Sequence, residues 1–193
     1  MTDLQKQFGQ IDIYLFDQLL RGRIQPGMTI FDAGCGYGRN LVYLLANGYD
    51  VYGVDADPQV IATSLPADRF RNEPLETMSF PDQFADVVIS SAVLHFARDN
   101  DHFNAMLAGS WRVLKPNGLF FCRLASSIGI EDQITAAGER RFRLPDGSQR
   151  YLVDEELLLR LTESLGGELL DPLKTTVVQN QRSMTTWVLR KTM

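Results

Sequence analysis

The sequence predicts an α/β domain: a doubly wound, mostly parallel seven-stranded sheet with an antiparallel last strand. Three observations predict it. Strand-like apolar runs alternate with amphipathic helical patterns along most of the chain, which implies parallel strands covered on both faces. A strand at 28–31 runs through Asp32 into Gly34, Gly36 and Gly38, and a helical pattern follows at once. Glycines in such a turn supply positive φ and leave no Cβ in the way, so a ligand can lie on the main chain. Finally, two strands near the end are separated only by Asn180-Gln181, and strands joined by so tight a turn are antiparallel.

Taken in order, residues 3–21 carry Leu4, Phe8, Ile11, Tyr14, Leu15, Leu19 and Leu20 on a helical stripe interrupted by Gly9, a leading helix in up to two pieces. Pro26-Gly27 breaks the chain before the first strand, and Asn47-Gly48 ends the helix after the glycine turn. A second strand over 50–54 ends at Asp55, and Pro58 suits the first turn of a short helix reaching about Leu65. A short third strand is expected over 69–72 and a β-branched fourth over 84–91. Residues 101–114 place Phe103, Met106, Leu107, Trp111 and Leu114 on one helical face, and Lys115-Pro116-Asn117-Gly118 turns into a fifth strand at 119–124. The polar stretch 125–150 reads as an insertion with a hairpin at Pro145-Asp146-Gly147. Asp154 caps a helix that stops at Gly166-Gly167, and strands at 168–179 and 184–191 follow. The expected organisation of 1–193 is a single domain: an N-terminal lid helix (1–25), a core (28–124), a substrate-side insertion (125–150) and a C-terminal helix with its strand pair (151–193).

The 193 residues are enough for one domain with its own core. A formal net charge of -5 is poor equipment for a phosphate backbone, so no nucleic-acid partner is expected. Cys35 and Cys122 are too few for a disulfide framework and fit no zinc spacing; they read as reduced and buried, with no metal site. No charged leader followed by an apolar core opens the chain, and no apolar run nears the roughly 18 residues of a membrane span. The expectation is a soluble cytoplasmic protein without a membrane partner, monomeric or homodimeric.

Ligands of open α/β sheets bind beyond the carboxyl ends of the strands. The marked residues fall at such ends: Asp32 to Gly38 after the first strand, Asp55 after the second, His95 after the fourth. Asp55 lies about 20 residues past the glycines, where an acid accepts from ribose hydroxyls; the plainer reading is a turn residue before Asp57-Pro58. A dinucleotide fingerprint would put its third glycine at position 39, where Arg39 stands; here it comes one residue early, at Gly38. Asp32 would repel a pyrophosphate but stabilise a cation such as a sulfonium or an α-amino group.

At these residues the sequence resembles the class I S-adenosylmethionine-dependent methyltransferases. Their first motif stands as Asp32-Ala33-Gly34-Cys35-Gly36-Tyr37-Gly38, and their ribose-binding acid as Asp55 in Val54-Asp55-Ala56-Asp57. The run from Met78 to Val88, the segment Ser90-Ser91-Ala92-Val93-Leu94-His95 and the turn Leu114-Lys115-Pro116-Asn117-Gly118-Leu119 are similar to further family motifs. The resemblance implies a Rossmann-like methyltransferase fold and S-adenosyl-L-methionine as cofactor, leaving as S-adenosyl-L-homocysteine. It implies cofactor contacts from Asp32, Gly34, Cys35, Gly36, Gly38, Asn40, Asp55, Ala56, Leu75, Ser91 and Leu94. The family's adenine-side acid after the third strand has no clean match; Glu73, Leu75 and Glu76 are its nearest candidates.

The implied reaction is direct displacement on the methyl carbon, which needs positioning and sometimes one base. His95 is the candidate base, its alternative a packing histidine beside Phe96. Tyr14 either closes over the cofactor or faces the core. Among Arg140, Arg141, Arg143 and Arg150, Arg141 and Arg143 are the substrate-side candidates for an anionic acceptor, against a solvated hairpin face. A small-molecule methyl acceptor is the leading expectation. The alternatives are a protein or nucleic-acid methyltransferase, a non-catalytic S-adenosylmethionine-binding subunit and a nicotinamide oxidoreductase; the [DN]-P-P-[YF] motif of amino-directed nucleic-acid enzymes is missing at Ser91-Ala92-Val93-Leu94.

Overall fold

The computed structural model describes residues 2–60 and 65–192. Its main sheet is built on β1 (Thr29–Ala33), β2 (Asp50–Val54), β3 (Phe70–Arg71), β4 (Ala85–Ser91) and β5 (Leu114–Ala125), all parallel to their neighbours. Beyond β5 the sheet turns antiparallel. A three-stranded antiparallel sheet, β6 (Thr135–Gly138), β7 (Arg141–Arg143) and β8 (Gln149–Tyr151), fills the insertion. The chain then returns through β9 (Gly167–Leu169), β10 (Lys174–Val178) and β11 (Arg182–Lys191), of which β11 runs antiparallel to β5, β9 and β10. The order across the main sheet is β10-β11-β5-β4-β1-β2-β3, with β9 also on β11. The strand order reverses between β1 and β4, which opens a crevice at their carboxyl ends.

The central strands are buried on both faces because their sequences are almost continuously apolar. Phe31, Val88, Phe120 and Trp187 pack into one core with helix α4 (Asn100–Arg112) and helix α5 (Glu155–Ser164). Ile30, Val87, Ile89 and Phe121 face the other core, with the leading helices α1 (Asp3–Phe8) and α2 (Ile13–Leu20) and the short α3 (Val42–Ala46) on that side. Gly9, at φ 63°, divides α1 from α2 as the stripe suggested.

Several boundaries differ from expectation. The strand β5 starts at Leu114, because Lys115–Gly118 is absorbed as an irregularity in its pairing with β4, with Asn117 at φ 63°. The strand expected over 168–179 is two, β9 and β10, interrupted around Asp171-Pro172; a proline has no N–H for a ladder. The main sheet therefore gains an eighth strand beside the seven expected. Half of the helix expected from Pro58 to about Leu65, residues 61–64, lies outside the described residues. One close approach fixes the crevice wall. A Cβ on Gly109 of α4 would stand 2.1 Å from the carbonyl oxygen of Leu75, so α4 seats against the turn at Leu75–Thr77 only because the residue is glycine.

Candidate functional site

A cavity of about 1080 Å³ opens at the carboxyl ends of β1, β2, β4 and β5. Of the residues singled out from sequence, Gly34, Cys35, Gly36, Asn40, Asp55, Ala56, Leu75, Ser91 and His95 line it.

The glycine turn is held by β2: the N–H groups of Gly34 and Cys35 both donate to Val54 O, at 2.8 and 3.0 Å. Gly34 takes φ 83°, and a Cβ there would meet Val93 Cγ2 at 2.5 Å, so the turn can lie against the segment after β4 only as glycine. Gly36 faces open space. Its N–H donates to Asp55 Oδ2 at 2.8 Å, while Asp55 Oδ1 accepts from Asp57 N–H at 3.0 Å. The carboxylate is thereby fixed at the rim with acceptor capacity left for a ligand. Asp32 does not line the cavity. It is buried two residues before Gly34, and its Oδ2 has no hydrogen-bond partner among the described residues. Burial pushes its pKa up to about 7; Arg39 pulls the other way and Asp55 adds to the rise. An unsatisfied buried carboxylate is costly unless a positive charge comes near it. Burial likewise pushes the Cys35 thiol up, so this residue packs rather than reacts.

On the far side of Asp55, Val60, Leu75 and Met106 offer apolar wall. Glu76 lines the cavity too, held by His102 Nε2 at 3.2 Å, while Glu73 bonds Ser79 instead and lies off the cavity. Of the adenine-side candidates, Leu75 and Glu76 line the cavity.

Six sequence-derived candidates sit elsewhere. Asp32 lies buried behind the turn, and Gly38, at φ 79°, shapes it by donating to Cys35 O at 2.9 Å. Leu94 is fully buried in the core because the short helix Leu94–Phe96 turns it inward. Tyr14 spends its hydroxyl on Thr176 Oγ1 at 2.6 Å, with its ring under the Arg123 guanidinium. Arg141 donates to Ala97 O at 3.1 Å, and Arg143 points outward on β7. Of the hairpin arginines, Arg150 lines the cavity, while Arg140 is tied to Asp154 and Leu152 O.

The side chains of Asn40 and Ser91 do a second job that sequence did not suggest. Asn40 Oδ1 accepts the N–H of Asp12 at 3.0 Å. Asp12, the N-cap of α2, takes Ser91 Oγ–H and Arg123 Nη1, both at 3.3 Å, while Arg39 Nη2 donates to Ser91 Oγ at 3.0 Å. This buried network ties the leading segment to the ends of β1, β4 and β5. A second tie, Asp171 with Gln18, Arg21 and Arg23, holds α2 and its C-terminal end to the loop before β10.

His95 lines the cavity and also packs on Phe96, ring centroids 4.6 Å apart, the alternative its sequence left open. It is 6% exposed, and its Nδ1 accepts the N–H of Ala125 at 3.2 Å. The proton of the neutral ring is therefore on Nε2, which is a donor. Burial, then the charges of Arg150 and Arg123, push its pKa down to about 4. A ring that resists a second proton is a poor base and a good neutral hydrogen-bond donor.

A sulfonium nucleoside fits the residues present. Asp55 stands where a diol can bind, Gly36 leaves room for close backbone approach, and the unpartnered Asp32 Oδ2 favours positive charge nearby.

Residues 31–122 match the family model of the methyltransferase domain. An uncharacterized methyltransferase of Synechocystis, sll0829, is 32% identical over 100 residues, 50% of this chain and 47% of that protein. The uncharacterized methyltransferase YodH of Bacillus subtilis is 35% identical over 115 residues, 55% of this chain and 44% of that one. The chain thus spans about half the length of these relatives' sequences. Among solved structures, the Burkholderia thailandensis 1,6-didemethyltoxoflavin-N1-methyltransferase, bound to 1,6-didemethyltoxoflavin and S-adenosylhomocysteine, superposes with a TM-score of 0.71 at 19% identity. That match covers 99% of this chain and 82% of the other, and at such identity it speaks for the fold. Sequence and fold point the same way: residues 31–122 are similar to the methyltransferase domain, and the chain has the fold of a solved methyltransferase that holds S-adenosylhomocysteine.

Proposed function

We propose that this protein transfers a methyl group from S-adenosyl-L-methionine to a small-molecule acceptor. The observation that carries the reading is one continuous cavity joining the glycine turn and Asp55 to the insertion, through Ala125, Leu144, Ser148 and Arg150. Its volume of about 1080 Å³ exceeds what one small ligand needs. When bound, the cofactor supplies an electrophilic methyl group on a positively charged sulfur.

The chain's own residues bind and orient. Asp55 receives the ribose hydroxyls, its carboxylate already set by Gly36 and Asp57. Leu75 and Met106 would give the flat base an apolar wall, with Glu76 in the same stretch of the lining. Asp32 places negative charge behind the turn, where low dielectric lets it act over the thickness of the glycine backbone. His95 offers its Nε2–H to the acceptor, so the acceptor's nucleophile must be reactive once aligned and desolvated. The insertion and the start of β11 exclude water from the acceptor end. A compact acceptor suits a cavity roofed by a short insertion, and the chain's acidic balance does not favour nucleic acid.

The test is methyl-labelled S-adenosylmethionine incubated with the protein and a cell extract, followed by separation by size. Label is expected in the low-molecular-weight fraction. Label confined to protein or nucleic acid refutes the small-molecule reading.

A further inference from the structure

The end of the cavity away from the glycine turn is walled by the last residues of β5, the β7–β8 hairpin and the start of β11. Three arginines line it there, Arg123, Arg150 and Arg182, against one acid, Asp146. That is a local cationic concentration on a chain of formal net charge -5. Arg123 is partly matched by Asp12 through Nη1, and its Nε has no hydrogen-bond partner among the described residues. Arg150 lies half-buried with its guanidinium over the ring of Phe96, 4.9 Å from the centroid. A guanidinium seated over an aromatic face is attracted by the ring without spending its N–H donors on it. Of its own donors, Arg150 spends Nη1 on the neighbouring carbonyl of Gln149.

The fields of these arginines overlap. Arg150 and Arg123 both act on His95, and Arg150 and Arg182 both act on Asp146, whose carboxyl is held below its ordinary range first by Ser148 and then by these charges. The neutral Nε2–H of His95 adds a donor without adding a charge. Apolar surface lies beside this cluster, including a Phe96 ring that is 57% exposed.

Resting on the methyltransferase reading of the same cavity, we propose that the methyl acceptor is an organic anion. Its carboxylate is received by Arg150 and Arg182, and its aromatic or apolar body lies against Phe96, Leu144 and Met184. The hairpin thus sends one of its arginines to the acceptor, while Arg141 is spent on Ala97 O and Arg143 points outward.

Calorimetry on the full chain preloaded with S-adenosylhomocysteine tests this, with benzoate as probe and benzamide as its neutral isostere. Benzoate is expected to bind about tenfold more tightly than benzamide, the size of a charge-assisted hydrogen-bond pair. The double substitution Arg150→Gln, Arg182→Gln should remove that preference and leave benzamide binding in place, while Arg143→Gln should change neither. Failure of benzoate to bind more tightly than benzamide, or a preference that survives the double substitution, overturns the proposal. S-adenosylhomocysteine affinity is read on the same samples. If it is absent while the arginine-dependent preference for benzoate stands, the methyltransferase reading fails and the anion site remains.

Discussion

Asp32 gives the sharpest test of how this site is built. Its carboxyl is buried, has one oxygen without a partner, and titrates near 7 instead of the ordinary 3.8. Keeping it ionised in the ligand-free protein therefore costs about 4 kcal/mol. The sign follows from the raised native pKa. The folded state holds this proton more tightly than the unfolded chain, so the contribution is full below the unfolded value near 3.8 and is lost as pH rises through 7. Between pH 8 and pH 5.5 the group should return about 2 kcal/mol of stability. For a chain of 193 residues that is roughly 4–8 °C in melting temperature. His95 works in the opposite direction, since its native pKa is depressed to about 4 and its stabilisation fades as pH falls below 6.5. A comparison with Asp32→Asn cancels that contribution. Thermal melts of the two ligand-free proteins should show the variant more stable at pH 8, with the gap narrowing by that amount at pH 5.5. The variant should also bind S-adenosylhomocysteine about tenfold more weakly, having lost the charge behind the turn. A gap that is the same at both pH values, together with unchanged ligand affinity, would refute the account of Asp32 as a buried charge waiting for a cation.

Three other perturbations probe the remaining parts. Gly109→Ala puts a methyl group against the carbonyl of Leu75; it should cost about 2 kcal/mol of stability and raise the cofactor KM, measured by melting and by steady-state kinetics. Asp12→Ala leaves Arg123 without its carboxylate and frees the leading segment from Ser91; a loss of about 3 kcal/mol is expected by denaturant titration, with weaker cofactor binding. His95→Gln, whose amide can take over the Ala125 N–H and still donate, should keep most of kcat. With the wild-type ring titrating near 4, kcat at saturating cofactor should show no His95 ionisation between pH 5.5 and 8. A kcat limb near pH 6.5 that vanishes in the variant would restore the general-base reading.

The parts of this site that were legible in the sequence are those made by neighbours in the chain. The glycine turn, Asp55 and the acid at position 32 follow one another through a strand, a turn and a helix, and local sterics dictate what such a run can do. The same holds for α1, α2 and the reversal at the sheet's end, each announced by periodicity or a breaker. What escaped depends on contacts between distant residues. Asp12 reads locally as an ordinary helix cap, and nothing in its surroundings says that Ser91, 79 positions away, and Arg123, 111 away, share its carboxylate. The hairpin arginines show the same limit on a smaller scale. Arg141 and Arg150 lie on strands that pair with each other, yet one caps Ala97 while the other stacks on Phe96 inside the cavity. The register decides between them, not residue type: Arg150 stands opposite Phe142 and so on the other face of the small sheet from Arg141. His95 adds a chemical version of the point. Its place after β4 was readable, but its role turns on a single N–H at Ala125, 30 residues on, which claims Nδ1 and leaves Nε2 as a donor. The sequence-legible half of the site is the glycine turn with Asp55. The half at His95 and Arg150 is assembled by contacts between distant residues, and in the proposed reaction it is that half that would choose the acceptor.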